Sequence, residues 1–495
     1  MQMEINMHNK ITATWVGYLF FALIMAFIYY HMSMRIEINS DMASGLLEAQ
    51  DMVNGNILLK GWNLSTVPFY FTELIWYAIG IAVFGFSHKL SYAFSAIYLT
   101  ILCITMVSAS ENKKLGATLS FFLLGSPVVF LSQNLLTPVV HVGTYILSLG
   151  VFILMKRTAN TGCKKSLLAA YVIMSLLYFS DAMSMYLVFT PLIVTSGSYL
   201  LGMRIEKRWI YITAASIVSY MTSILLWKLF TRYGFTVPGL QETKFASTTA
   251  IWKNISDFFE GTFRLYSAYF FGLSPKSTGT AQVCLSFLAL LIFFGLLVAR
   301  LVRFCKFRGQ DLYLLTATFI MPVAFIVSDI SVGLGSIRYI IPFFVFGSVF
   351  ASSNDTFNSF NARTFLALLM VFLVSGALHI RETLQAPTAT DKYAQINTAL
   401  VEAGATNGFA AYWDASSVSV YGNVQVSPVY SDGTRLVQFD WLSKKEWFDA
   451  ENTFVIIENE QMKASAIKAF GSPEKIINAG GREIYIWGKR ILAGR

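Results

Sequence analysis

Two residues far apart in the chain set the chemistry. Asp41 lies in a polar stretch after the first apolar segment, and Arg338 stands just before a late apolar segment, in the run Arg338-Tyr339-Ile340-Ile341-Pro342. An aspartate on a loop can take a proton from an attacking hydroxyl. A guanidinium presents a planar fork of N–H donors that fits phosphate oxygens. An acid and an arginine at one membrane surface suit chemistry on a phosphate-linked lipid.

Further candidates surround this pair. Glu48 and Asp51 share the loop of Asp41; on a helix, Asp41 and Glu48 would share a face. Asp181 falls between two apolar runs, and His141 begins a run after Thr137-Pro138 and could hydrogen-bond a lipid phosphate. Each has a plainer reading: a cap or surface acid for Asp41, Glu48 and Asp51, a turn residue for Asp181, a structural helix-end histidine for His141, a snorkelling side chain for Arg338. In 232–280, Lys244, Lys253, Arg264 and Lys276 alternate with Tyr266, Tyr269, Phe270 and Phe271. They hold either a phosphate and a sugar, or an interfacial helix in an aromatic belt. Trp413-Asp414 and Trp441 could stack on and hydrogen-bond a glycan.

The elements that position these residues are read from composition. The chain has 495 residues, 55% hydrophobic and only 13% charged, against about 25% charged for a soluble domain. Of 37 basic and 28 acidic residues, 25 and 15 fall in 1–380, leaving 12 and 13 for 381–495. That split marks a membrane domain, 1–380, followed by a water-soluble one, 381–495. The basic residues cluster at the ends of apolar runs, which speaks for a bilayer and against nucleic acid. Cys103, Cys163, Cys284 and Cys305 have no metal spacing, so neither a disulfide framework nor a zinc site is expected.

Apolar runs occur near 12–34, 67–86, 90–108, 115–132, 138–155, 166–181, 183–202, 209–231, 281–303, 312–330, 337–353 and 363–380. Backbone groups in lipid must bond within their own segment, so these are helices, and the expected fold is α-helical and polytopic with about 11–13 transmembrane helices. The first run has no small-residue cleavage site after it and reads as a retained helix. Loops 156–165, 204–208 and 300–311 are strongly basic and belong on the cytoplasmic side. Alternation then puts Asp181, the large loop 232–280, Arg338 and the tail on the outer side. One count conflicts: with a cytoplasmic N-terminus loop 35–66 is outside, and four runs then separate it from Lys156, where an odd number is needed. One run does not fully cross, or one is missed, or the N-terminus is outside; 67–86, which contains Glu73, could lie partly in the interface.

Loop 35–66 carries apolar residues at helical spacing from Asp41 onward, as in a short amphipathic helix on the membrane surface, capped by Ser40 or Asp41 and ended by Asn54-Gly55-Asn56. In the tail, strand-like runs at 408–413, 418–421, 454–458 and 483–487 and a helical run at 460–470 predict a small α/β domain.

A Walker sequence, HExxH and Asp-x-Asp are all absent, which points to a donor activated through a lipid phosphate. The arrangement resembles the GT-C superfamily of integral-membrane glycosyltransferases: Asp41 in the first outer loop, many spans, Arg338-Tyr339…Pro342 late in the membrane domain, and a soluble tail on the outer side. Within it the chain is most similar to bacterial enzymes that modify O-antigen in the periplasm with glucose or a related sugar.

The resemblance implies a bacterial inner-membrane protein whose site and C-terminal domain face the periplasm. It implies a polyprenyl-phosphate sugar donor such as undecaprenyl-phosphate glucose, and a glycan acceptor such as lipopolysaccharide O-antigen. It implies Asp41 as catalytic base and Arg338 on the lipid phosphate, with Tyr339, His141 and Arg264 as further donor-binding candidates. Relatives of the oligosaccharyltransferase type use two acids and a divalent metal. Glu48, Asp51 and Asp181 are the possible second acids, and none matches cleanly. The rival readings are a transporter or flippase of lipid-linked sugars, an O-antigen polymerase or ligase, and a non-catalytic scaffold.

Overall fold

The computed structural model describes residues 19–203, 205–238, 243–274, 278–303 and 307–494. Lys276 and Cys305 lie outside them. Among the described residues, seven helices are long and apolar enough to cross a membrane: Lys89–Ala109 (α4), Val142–Thr161 (α7), Arg208–Tyr233 (α10), Gly279–Leu301 (α12), Gly309–Val327 (α13), Gly333–Ala351 and Ala362–Gln385 (α16). Three shorter apolar helices accompany them: Leu19–Ser33 (α1), Tyr70–Phe84 (α3) and Met185–Leu200 (α9). Lys164–Ser180 (α8) completes the hairpin after α7. Outward-facing side chains such as Phe21, Leu225 and Val298 stay exposed on this bundle, as lipid-facing residues do.

The run at 115–132 is divided into Lys113–Leu123 (α5) and Val129–Leu135 (α6). Ser126-Pro127 lies in the break; Pro127 has no N–H to donate, and its carbonyl accepts from Thr383 Oγ1 at 2.9 Å. The run at 67–86 does not cross. Phe69 N–H donates to the Ser180 carbonyl at 3.0 Å, at the end of α8, whereas His88 just beyond α3 lies against Tyr421 of the tail, ring centroids 4.4 Å apart. Both ends of α3 therefore sit at the tail end of the bundle, which removes the conflict in the count. The three basic loops gather at the opposite end. There Arg208 donates to the Ala159 carbonyl at 2.9 Å and Arg308 pairs with Glu111 at 3.2 Å.

Ser40–Val53 (α2) is capped by Asn39, whose side chain accepts from Met42 N–H at 3.0 Å, and not by Ser40 or Asp41. Ser40 instead turns its hydroxyl to the Tyr412 carbonyl. Nor does α2 lie on the membrane surface. It is packed between α3 and the helix Tyr412–Ser419 (α18), so Met42, Leu46 and Ala49 are fully buried. The helix does end at Asn54-Gly55, where Gly55 takes a left-handed φ of 102°.

The tail follows α16, which runs to Gln385. Its sheet has six strands: β2 (Asn407–Ala411), β3 (Gln425–Ser431), β4 (Leu436–Gln438), β6 (Phe454–Ile457), β7 (Lys475–Ala479) and β8 (Arg482–Ile486), in the order β4-β3-β2-β6-β8-β7, with β3 and β6 parallel to β2 and the outer pairings antiparallel. Two expected strands change. The run at 408–413 stops at Ala411, and 418–421 is the end of α18 and its turn. Short apolar runs carry no period that separates strand from helix; here Asp414 in a first turn and buried Ala415 and Val418 decide for helix. The runs at 454–458 and 483–487 are strands, and Glu460–Phe470 (α20) is a helix.

The tail is tied to loop 35–66. Trp62–Asn63 (β1) pairs antiparallel with Ser443–Lys444 (β5), and Trp62 meets Trp447 edge-on at 4.8 Å. Asp51 accepts from Trp62 Nε1 at 2.8 Å and lies 3.3 Å from Lys444 Nζ.

Candidate active site

A cavity of about 350 Å³ lies where the bundle meets the tail. Asp41, Glu48, His141, Asp181, Arg338, Tyr339 and Trp441 all line it. Thus seven sequence candidates from five separate segments converge.

Asp41 occupies the first turn of α2, where a negative side chain suits the helix dipole. Its Oδ1 accepts from the Tyr412 hydroxyl of the tail. Burial, and then the adjoining Asp41 carboxylate, push the Tyr412 phenol well above its ordinary pKa, so it is the donor. Glu48 follows on the same face, is 3% exposed, and its Oε1 has no partner among the described residues. Burial alone raises its pKa well above its ordinary value, which favours the neutral form. α2 comes this close because residue 45 is glycine: a Cβ there would stand 2.6 Å from Val139 Cγ2.

His141 and Asp181 form one unit. His141 Nδ1 lies 2.6 Å from Asp181 Oδ2, Thr144 Oγ1 donates to the same oxygen, and Met183 N–H donates to Oδ1 at 2.8 Å. Asp181, 1% exposed, is fully engaged. It orients the His141 ring and is not a free base. Phe69, Val139 and His141 all take left-handed backbone angles (φ 49°, 61° and 69°), conformations that cost non-glycine residues about 1–3 kcal/mol each and gather at functional sites. Glu73 holds this turn, accepting from Val139 N–H and, at 3.4 Å, from Gly143 N–H. Its positioning role was missed, although an acid inside an apolar run was the signal.

Arg338 is carried by the 3-10 turn Gly333–Ile340 that leads into Ile341–Ala351 (α14). Pro342 suits that helix start, and α14 is buried on every side. The guanidinium lies over the Tyr339 ring at 5.3 Å and forms no ion pair among the described residues. It is an exposed cation on the cavity wall, with the Tyr339 ring 6.4 Å from that of His141.

Other candidates are not brought in. Asp51 is engaged with Trp62, Asn56 and Lys444. Arg264, on the helix Thr248–Leu265 (α11), pairs with Glu260 at 2.8 Å and covers the Tyr269 ring at 4.4 Å, away from the cavity. Lys253 likewise pairs with Asp257 on α11. In the tail, Asp414 is buried against Tyr393 and Arg482. Among the described residues no three His, Cys, Asp or Glu side chains gather as a metal site. With Asp41 on a phenol and Glu48 buried without a charged neighbour, these acids do not form a divalent-ion donor set.

A second opening leads sideways. Thr66, Pro68 and Ala182 line both the cavity and an aromatic cleft of about 620 Å³ between α8 and α10, walled by Tyr178, Phe179, Trp227 and Phe235.

No family model matches the chain, and no curated protein matches it. Solved structures do. ArnT from Cupriavidus metallidurans aligns over 96% of this chain and 98% of its own, at 10% identity and TM-score 0.59 in the apo state, and at 11% and 0.57 bound to undecaprenyl phosphate. The oligosaccharyltransferase of Archaeoglobus fulgidus aligns over 92% of this chain and 71% of its own, at 11% identity and TM-score 0.50. The chain has a GT-C-like fold. At these identities the likeness is one of GT-C architecture: a helical membrane bundle with a small tail domain over one end.

Proposed function

We propose that this protein is a membrane glycosyltransferase that moves one sugar from a polyprenyl phosphate to a glycan acceptor. The observation that carries the reading is the shared cavity, with Asp41 and an ion-pair-free Arg338 on one set of walls. The neighbour bound to undecaprenyl phosphate supports the donor class. The aromatic cleft beside the cavity suits the isoprenoid chain, which leaves the phosphate at Arg338, Tyr339 and His141.

In the reaction, the acceptor hydroxyl oxygen attacks the anomeric carbon of the sugar. The bond from that carbon to the phosphate oxygen breaks, and its electron pair leaves with the polyprenyl phosphate. Asp41 takes the hydroxyl proton. Arg338 offsets the charge that grows on the phosphate. One in-line displacement inverts the anomeric centre. The cavity lies at the small end of the range of about 300–1,000 Å³ for ligand sites, which suits a single sugar phosphate rather than a long glycan donor. A transporter would place its polar groups near mid-membrane, whereas these gather at one end. The resemblance adds the finer terms: glucose as the sugar, O-antigen as the acceptor, and a bacterial inner membrane with the site in the periplasm. The basic loops at the far end support that orientation.

The test is turnover of a polyprenyl-phosphate hexose by the purified protein, with glycan mass analysis of cells with and without the gene. A hexose gained on the glycan and lost in Asp41→Asn supports the reading. Unchanged glycan mass and no turnover overturn it.

A further inference from the structure

A pocket of about 620 Å³ opens on the tail sheet beside the membrane cavity, and Asp41 and Trp441 line both. Its walls expose large aromatic faces, Trp413 at 53% and Tyr430 at 49%. Water-exposed aromatic surface grouped in a concavity marks a binding site. Ser431, Glu458, Asn459 and Gln461 add a hydroxyl, a carboxylate and two amides. Among the described residues no Lys or Arg lines the pocket, and its two carboxylates, Asp41 and Glu458, disfavour an anion. Flat aromatic faces with hydrogen-bonding groups and no cation fit an uncharged sugar.

At the junction stands Tyr412. Its hydroxyl is bound to the Asp41 carboxylate, and its ring meets Trp413 at 5.0 Å and Phe439 at 5.3 Å. We infer that this tail pocket seats the acceptor as a neutral glycan, and that the Tyr412 phenol holds, on Asp41, the place the attacking hydroxyl takes. The inference rests on the transfer reading and adds to it the acceptor's class and entry side. No covalent change occurs at Tyr412. One hydroxyl donor to Asp41 is exchanged for another, and an occupant stacked on Trp413 presses on the tyrosine ring.

The test uses the full chain in detergent, without donor, against neutral oligosaccharides and their phosphorylated and uronic-acid counterparts. Capture is expected for neutral glycans only, and Trp413→Ala and Phe439→Ala each weaken it by roughly tenfold with an unchanged melting temperature. In a transfer assay, Tyr412→Phe removes the competing hydroxyl and lowers the acceptor KM. Absent capture, equal capture of phosphorylated glycans, capture indifferent to both alanine variants, or an unchanged or raised KM in Tyr412→Phe each overturns the inference. Because capture is read without donor, the two failures separate. Working transfer with capture indifferent to Trp413 sinks the pocket alone. Intact capture with no transfer sinks the transfer reading.

Discussion

The two ends of the bundle treat charge in opposite ways. At the basic end, Arg300 Nη2 donates to Asp311 Oδ1 at 2.7 Å with both side chains buried, and Arg300 also reaches Asp355 at 3.4 Å. Asp311 further caps its own helix through Arg308 N–H at 2.9 Å. At the tail end, Arg338 makes no ion pair among the described residues, Glu48 is buried without one, and Asp41 has only a phenol. A low-dielectric interior penalises unpaired ionisable groups. The tail end has pairs of its own, His141 with Asp181 and Asp51 with Lys444, but three groups on the cavity wall stay outside any ion pair among the described residues, the pattern expected of a ligand site.

This contrast can be broken by mutation. Asp41→Asn is expected to cut transfer by about 10²–10⁴-fold while thermal unfolding stays as in the wild type; near-normal turnover would remove Asp41 as base. Asp311→Ala should do the reverse. Removing the buried partner of Arg300, which leaves it only the exposed Asp355, costs up to roughly 3–5 kcal/mol of stability, and molecules that remain folded keep their turnover. A stable but inactive Asp311→Ala would put function at both ends.

Arg338→Ala comes next. Losing charge-assisted bonds worth about 1.5–3 kcal/mol should weaken donor use more than acceptor use without lowering the melting point. An unchanged donor KM and kcat would count against the phosphate role. Glu48→Gln sharpens the picture through pH. The folded pKa of Glu48 is raised, so its favourable contribution is present below the unfolded value and is lost as pH rises through the folded one. The wild type should therefore lose stability relative to Glu48→Gln on going alkaline, and parallel melting curves would refute a neutral Glu48. The smallest effect belongs to Lys444→Ala, about 0–1 kcal/mol for a part-exposed pair, seen as modestly faster proteolysis of the tail.

Much of the site was legible because each candidate lies at a break between apolar runs, and helix ends on one side of a bundle meet. Asp41, His141, Asp181, Arg338 and Tyr339 all follow that rule. Asp51 and Arg264 obey it too, yet Trp62, Lys444 and Glu260 engage them. Nothing in the local pattern announces such partners. Tyr412 was invisible for a related reason: it meets Asp41 across 371 positions of sequence, through a strand that gives way to a helix two residues before the end of the expected run.

By itself, the order of residues determined that the chain crosses a membrane many times, that a water-soluble tail follows, and which polar groups end at helix breaks. Hydropathy and charge are properties of local composition, so they can be read in line. Only the tertiary structure decided that α3 keeps both ends on one side, that α2 is clamped between bundle and tail, and which acids are spent on neighbours. Those outcomes depend on packing between segments far apart in the chain, where the burial of one side chain is set by another that no local window contains.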